Sequence, residues 1–142
     1  MTQVDSKVDR QTTGIIDIIP SEIEDFEQEV KRFQAGEWDE TDFQAFRLRQ
    51  GVYGQRQPDV HMIRIKFPFG GMTSAQLDML GEIVEKYAPL NKGHVTTREN
   101  IQLHHVPLLE AAEVLKMLAD VGLTTREACG NTVRNVTGCA MA

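Results

Sequence analysis

Apolar residues recur along this chain with two periods, and the switches between them mark its elements. Ile23, Phe26, Val30 and Phe33 are spaced for one face of a helix. Ser21 with Glu24 has the form of a capping box at its start, and Gly36 is placed to stop it. A second helix is expected from about Asp39 to Gln50, anchored by Phe43 and Phe46. The period then falls to two. In His61–Phe67, Ile63, Ile65 and Phe67 share one side and Met62, Arg64 and Lys66 the other, as in a strand. Pro68-Phe-Gly-Gly71 breaks it. Thr73 with Gln76 offers another capping box, ahead of an amphipathic helix on Leu77, Leu80, Val84 and Tyr87 that ends before Pro89.

The stretch His94–Val106 alternates again. Thr96, Arg98, Asn100, Gln102 and His104 share one parity, and Ile101 and Leu103 the other. The favoured residues of a two-residue hairpin, Asn-Gly or Asp-Gly, are missing at Glu99-Asn100, so one long strand is expected, kinked or bulged. After Pro107, Ala111, Val114, Leu115, Leu118 and Val121 face inward on a helix closed by Gly122. Thr124–Cys129 is a candidate further strand. The order strand–helix–strand–helix predicts a small α+β sandwich with helices on one sheet face. The other face would carry Arg64, Lys66, Thr96, Arg98, Gln102 and His104. Such a row either faces water or holds an anion, and the pattern alone leaves both open.

Before the first helix, residues 1–11 are polar, and Ile15-Ile16-Asp17-Ile18-Ile19 is a short edge strand or an arm, ended by Pro20. Arg47, Arg49 and Arg56 cluster around Gly51-Val-Tyr-Gly54, either as solvated surface or as part of an ordered loop.

Charge and composition narrow the classes. The net charge of −6 argues against broad nucleic-acid binding, and aromatic residues are missing from the polar parity of both strands. No apolar run approaches a membrane span, and the N-terminus lacks the form of a signal peptide. With two cysteines and no secretion signal, a reducing, cytoplasmic setting is expected. Near the C-terminus, Gly130 and Asn131 allow a tight turn or a nest of backbone N–H groups, with the guanidinium of Arg134 beside it suited to an oxyanion; the other reading is a surface loop. The chain then stops in the small residues Gly138-Cys-Ala-Met-Ala142, which reads as a truncation.

Three segments together resemble the siroheme-dependent nitrite and sulfite reductases. Met62-Ile-Arg-Ile-Lys-Phe-Pro68 with Gly70-Gly71 is similar to the family's first strand and glycine turn. Thr96-Thr-Arg-Glu-Asn-Ile-Gln-Leu-His104 is similar to its Thr-Thr-Arg-Gln-x-x-Gln-x-His motif, with Glu99 in the usual Gln place. Ala128-Cys-Gly-Asn-Thr-Val-Arg-Asn-Val136 is similar to its Ala-Cys-Gly-Asp-x-x-Arg-Asn-Val segment. The resemblance covers roughly residues 43 to 142.

It implies a ferredoxin-like sandwich: an antiparallel sheet with two helices on one face, preceded by an N-terminal helical extension. The implied division is residues 1–57 as arm and extension, 58–126 as the ferredoxin-like half domain, and 127–142 as the start of a siroheme/iron–sulfur domain. The implied roles are Arg64 and Arg134 for the substrate anion, and Arg98, Gln102 and Thr96 for the tetrapyrrole's carboxylates, with His104 and Lys66 as further candidates. No metal ligand is implied in this chain. The family's cluster cysteines come in closer pairs than Cys129 and Cys139, so the ligands of a [4Fe–4S] cluster would lie in a further C-terminal reductase segment. The implied activity is six-electron reduction of nitrite or sulfite, fed by a donor such as ferredoxin or a flavoprotein. The chain alone is expected to be inactive, and a dimer through its exposed wall is conceivable. The other reading is a stand-alone ferredoxin-like binding or regulatory module that reduces nothing.

Overall fold

The computed structural model describes residues 20–139 and 141. The polar start and the 15–19 arm therefore lie outside the described residues. Four helices, α1 (Pro20–Gln34), α2 (Glu40–Arg49), α3 (Ser74–Tyr87) and α4 (Leu108–Asp120), accompany four strands, β1 (Val52–Gly54), β2 (Val60–Ile65), β3 (Gly93–Val95) and β4 (Ile101–Pro107). The sheet is antiparallel throughout, in the order β1-β2-β4-β3. This is the expected ferredoxin-like sandwich with its helical extension.

The period-two reading of β2 holds: Ile63, Ile65 and Phe67 are fully buried against the helices, while Arg64 and Lys66 face the other way and are half-buried. The helix faces hold with adjustments. On α4, Ala111, Val114, Leu115 and Leu118 are buried. The chain then leaves the helix through Gly122 at φ 73, a left-handed seat without a Cβ penalty, and Leu123 N–H donates back to Leu118 O at 2.9 Å. On α3 the capping box forms as expected between Thr73 and Gln76. Leu77, expected inward, is 60% exposed, and Ile83 takes the core position instead. The buried Gln76 is satisfied: its Nε2 donates to Val121 O at 3.1 Å and its Oε1 accepts from Thr73 N–H.

The helix α1 begins at Pro20, which puts Ser21 inside the first turn rather than at the cap. Proline suits this seat because the first N–H of a helix has no intrahelical partner. Asp39 caps α2 by accepting from Thr41 N–H. Phe26, Val30 and Phe43 join the same buried cluster as the sheet, and Phe33 stacks on Phe43 with centroids 4.0 Å apart. Lys116 on α4 donates to Glu27 on α1 at 2.6 Å, a second tie between the extension and the sandwich.

The largest departure from expectation is the stretch His94–Val106. It is a hairpin, not one strand: β3 and β4 pair with Val95 opposite Ile101. Thr96 N–H donates to Asn100 O at 2.8 Å and Glu99 N–H to Thr96 O at 3.0 Å, leaving a three-residue loop with Glu99 at φ 61. That is the known plan of a turn followed by a left-handed residue. The seat usually held by Gly is held here by Glu99, so the familiar turn signal is missing. A bulge also sits on β4. Ile63 faces Leu103 but His61 faces Val106, so His104 and His105 share one position. His105 has φ 62, and its N–H donates to Gln55 Oε1 at 2.6 Å. The bulge resets the alternation, which is why Leu103 and Val106 are both buried.

The candidate strand Thr124–Cys129 forms only one bridge, Lys66 opposite Thr124. Beyond it the segment runs along the start of β1: Thr125 Oγ1 donates to Gln50 O, Glu127 N–H to Arg49 O, and the Cys129 thiol to Gly51 O. Gly51 makes this close approach possible. It has φ 76, and a Cβ there would lie 2.1 Å from Thr125 O.

Candidate anion-binding cleft

The sheet face away from the helices forms the floor of a cleft of about 880 Å³. Its walls are the hairpin loop 96–100, the turn after β2, and the segment 127–136. Arg64, Lys66, Thr96, Arg98, Gln102 and Arg134 all line it. The sequence-derived candidates, drawn from three separate segments, are thus brought together, with the exception of His104. That side chain lies further along β4 beside His94, with ring centroids 6.0 Å apart, and its Nδ1 is 3.4 Å from Gln55 Nε2. Its pKa is lowered by burial, with His94 and His105 adding to the shift.

Arg64 and Gln102 face each other across β2 and β4. The hydrogen-bond network sets the carboxamide of Gln102 so that its oxygen accepts from Arg64 Nη2 at 2.6 Å and Nε at 2.9 Å. Arg64 Nη1 also donates to Ala128 O at 3.3 Å. Three of the five guanidinium N–H groups are spent on holding the side chain still, and two remain for a ligand. Gln102 therefore acts here as a brace for Arg64. Thr96 is a brace as well: its Oγ1 accepts from Arg98 N–H at 3.3 Å and Asn100 N–H at 3.2 Å. Its hydroxyl proton can still be donated.

Four cations line the cleft against one carboxylate, Glu127. Among the described residues, none of Arg64, Lys66, Arg98 and Arg134 makes an ion pair. Elsewhere Lys31, Arg32, Lys86, Lys116 and Arg126 are bridged to glutamates, while Arg47, Arg49, Arg56 and Lys92 stand without an ion pair among the described residues. Apolar surface is interleaved with the cations: Phe69 is 53% exposed at the rim, and Val133 and Val136 are more open still. A ligand with a large apolar body and several negative groups suits this lining. Covering the cleft would strengthen each contact, since a charge pair at 4 Å is worth roughly 1 kcal/mol in water and roughly 4 at an effective dielectric near 20.

Cys129 is buried beneath the cleft. Burial pushes its thiol pKa up, against the opposing pull of Arg64, Arg134 and Arg47. Such a thiol is packed and unreactive. Cys139 is exposed, and among the described residues no group of three or more His, Cys, Asp or Glu side chains converges on a metal position.

Two residues important to this geometry escaped the sequence reading of roles. Asn100 Oδ1 accepts from Phe67 N–H at 3.0 Å, and Asn135 Nδ2 donates to Phe67 O at 2.8 Å. Both lie within the quoted motifs, and that was the available signal. Their task is to hold backbone, which residue type alone does not reveal.

Residues 53–121 match the family model described as the nitrite/sulfite reductase ferredoxin-like half domain. The ferredoxin–nitrite reductase of Leptolyngbya laminosa is 34% identical over 126 residues, covering 87% of this chain and 24% of that protein. The assimilatory ferredoxin-dependent nitrite reductase of Haloferax mediterranei is 34% identical over 139 residues, covering 89% and 23%. Among solved structures, that of the Mycobacterium tuberculosis NirA protein superposes with a TM-score of 0.69 at 26% identity, over 83% of this chain and 25% of that one. Fold, motifs and relatives agree, and the chain belongs to the nitrite/sulfite reductase family through its ferredoxin-like half domain. It spans about a quarter of the length of these curated relatives.

Proposed function

We propose that this chain supplies one wall of the siroheme and oxyanion pocket of a nitrite or sulfite reductase, completed by a further reductase segment. The observation that carries this reading is the group of four cations, without ion-pair partners among the described residues, around one cleft. In this reading Arg64 and Arg134 grip the substrate anion. Arg98, Lys66 and Thr96 meet the carboxylates of the tetrapyrrole, and Gln102 fixes Arg64.

The donor set fits siroheme. A polycarboxylate macrocycle wants hydrogen-bond donors at its rim and apolar contact on its face, which Phe69, Val133 and Val136 offer. When bound, siroheme supplies the iron at which a six-electron reduction of nitrite or sulfite takes place. The described residues do not fit a [4Fe–4S] cluster, because Cys129 is buried on Gly51 O and no other thiol accompanies it. The cluster and its ligands belong, in this reading, to the segment beyond this chain. A ferredoxin or flavoprotein would feed electrons there, in the cytoplasm. No helix among the described residues is long and apolar enough to cross a membrane.

The test is co-expression with the completing reductase segment, followed by visible spectroscopy and nitrite and sulfite turnover. The expected outcome is retained siroheme, lost mainly with Arg98→Ala. Arg134→Ala is expected to keep the cofactor and lower anion reduction about a hundredfold, the scale of removing one charge-stabilising donor. If both variants retain siroheme and turnover, this assignment of the cleft is wrong. If the wild-type pair retains no siroheme, the chain is a binding module of another kind.

A further inference from the structure

The segment 130–139 carries Arg134 but belongs to no helix or strand. Its one backbone hydrogen bond among the described residues is local, Thr132 N–H to Gly130 O at 3.1 Å. Every hydrogen bond that joins it to the rest of the described chain is made by a single side chain, Asn135. The amide nitrogen donates to Phe67 O at 2.8 Å and to Arg98 O at 2.9 Å. The amide oxygen accepts from Phe69 N–H at a longer 3.4 Å. Both donors and the acceptor of one carboxamide are thus in use, across two other segments.

We propose that Asn135 is a positioning residue that sets Arg134 at a fixed place relative to Arg98. This rests on the cleft being the anion site proposed above. Consecutive Cα atoms are about 3.8 Å apart, so pinning Asn135 also pins the backbone of Arg134. The carbonyl that Asn135 grips is that of Arg98 itself, within a hairpin loop already braced by Thr96 Oγ1. Phe67 completes the joint, since its N–H donates to Asn100 on the hairpin loop and its C=O accepts from Asn135. Two exposed arginines on separate irregular segments thereby share one anchor at the end of β2. A ligand held by both meets two arginines whose backbones are already fixed and need not order two loops on binding.

A carboxamide is needed for this. Alanine removes all three bonds. Leucine keeps the branching at Cγ, in a bulkier side chain, without any of them, and so separates hydrogen bonding from the loss of side-chain contact. Neither replacement adds a charge to the cleft.

Two measurements on the 142-residue chain test the proposal. The first is limited trypsin cleavage of the Arg134–Asn135 bond, with the exposed Arg56–Gln57 bond as an internal control. Cleavage after Arg134 is expected to accelerate at least fivefold in Asn135→Ala and Asn135→Leu, with the control unchanged. The second is fluorescence titration with uroporphyrin, a polycarboxylate tetrapyrrole probe. Affinity is expected to fall about fivefold in both variants. The effects of Arg98→Ala and Arg134→Ala, non-additive in the wild-type background, are expected to become additive once Asn135 is replaced. A residue of merely structural importance would not abolish that coupling.

Unchanged cleavage after Arg134 overturns the clasp, whatever the probe does. Coupling that persists without Asn135 overturns its positioning role, and so does full recovery by leucine. If the wild-type chain fails to bind the probe while the Asn135 variants still loosen the segment, the clasp stands as a structural joint. Its positioning of Arg134 for an anion then falls together with the proposed function of the cleft.

Discussion

On the helix side, β2 and β4 present Ile63, Ile65, Leu103 and Val106, each fully buried in one apolar cluster. On the other side the same strands present Arg64 and Gln102, bonded to each other and to the Ala128 carbonyl, beneath a cleft whose cations lack carboxylate partners among the described residues. Polar groups on the helix side are mostly closed off, as with Gln76, whereas the cleft side keeps donors in reserve. The first face closes a core, and the second is the face proposed to take a ligand. The joint between them lies where the segment after α4 crosses the start of β1.

Substitutions at that joint are expected to have the largest effect. Gly51→Ala would place a Cβ against Thr125 O and force a side chain into a left-handed seat. It should lower unfolding stability by about 3 kcal/mol or more in urea titration. A loss below 1 kcal/mol would mean that the segment after α4 is not tightly laid on β1. On the helix side, Leu118→Ala should cost about 3 kcal/mol while leaving uroporphyrin affinity unchanged at a temperature where the variant is folded. A parallel loss of affinity would show that the two faces are not separable.

His61 breaks the pattern of a closed helix side, since it is buried with Nδ1 unpartnered. Burial holds its pKa down to about 4, with Arg47 adding to the shift and Asp59 opposing it. The unfolded chain takes up this proton near the ordinary value of about 6.5. The contribution is therefore fully present above that pH and is lost as pH falls toward 4. It is on the order of 3 kcal/mol. His104, lowered as well, works in the same direction. Chemical denaturation at pH 7 and pH 4.5 should show this loss, and His61→Leu should reduce it; an equal pH dependence in the variant would assign the effect elsewhere. The smallest effect is expected at the hairpin loop. Glu99→Gly relieves a left-handed non-glycine seat and should raise stability by about 1 kcal/mol. Unchanged or lower stability there would show that the Glu99 side chain, packed against Gly70, is worth as much as the strain.

Much of this was legible in the chain. The alternation of β2, the capping box of α3 and the inward face of α4 follow from periods of 2 and 3.6, which depend only on local geometry. The quoted motifs also contained every cleft residue named as a candidate. The hairpin was not legible, because Glu99 occupies a seat that chemistry would give to glycine. Nor was the bulge at His104-His105, which Gln55 stabilises from 50 residues away.

Local pattern was enough to place the helices, the strand β2, the side of β2 on which Arg64 and Lys66 stand, and the family motifs. Folding alone brings the loop of Arg98 and the segment of Arg134 to that side, sets Gln102 and Thr96 to brace other groups, and lets Asn135 tie the two loops together. The difference is one of range. Periodicity is enforced by bonds between near neighbours, whereas the cleft depends on contacts such as Asn135 to Phe67, 68 residues apart, which no local pattern records.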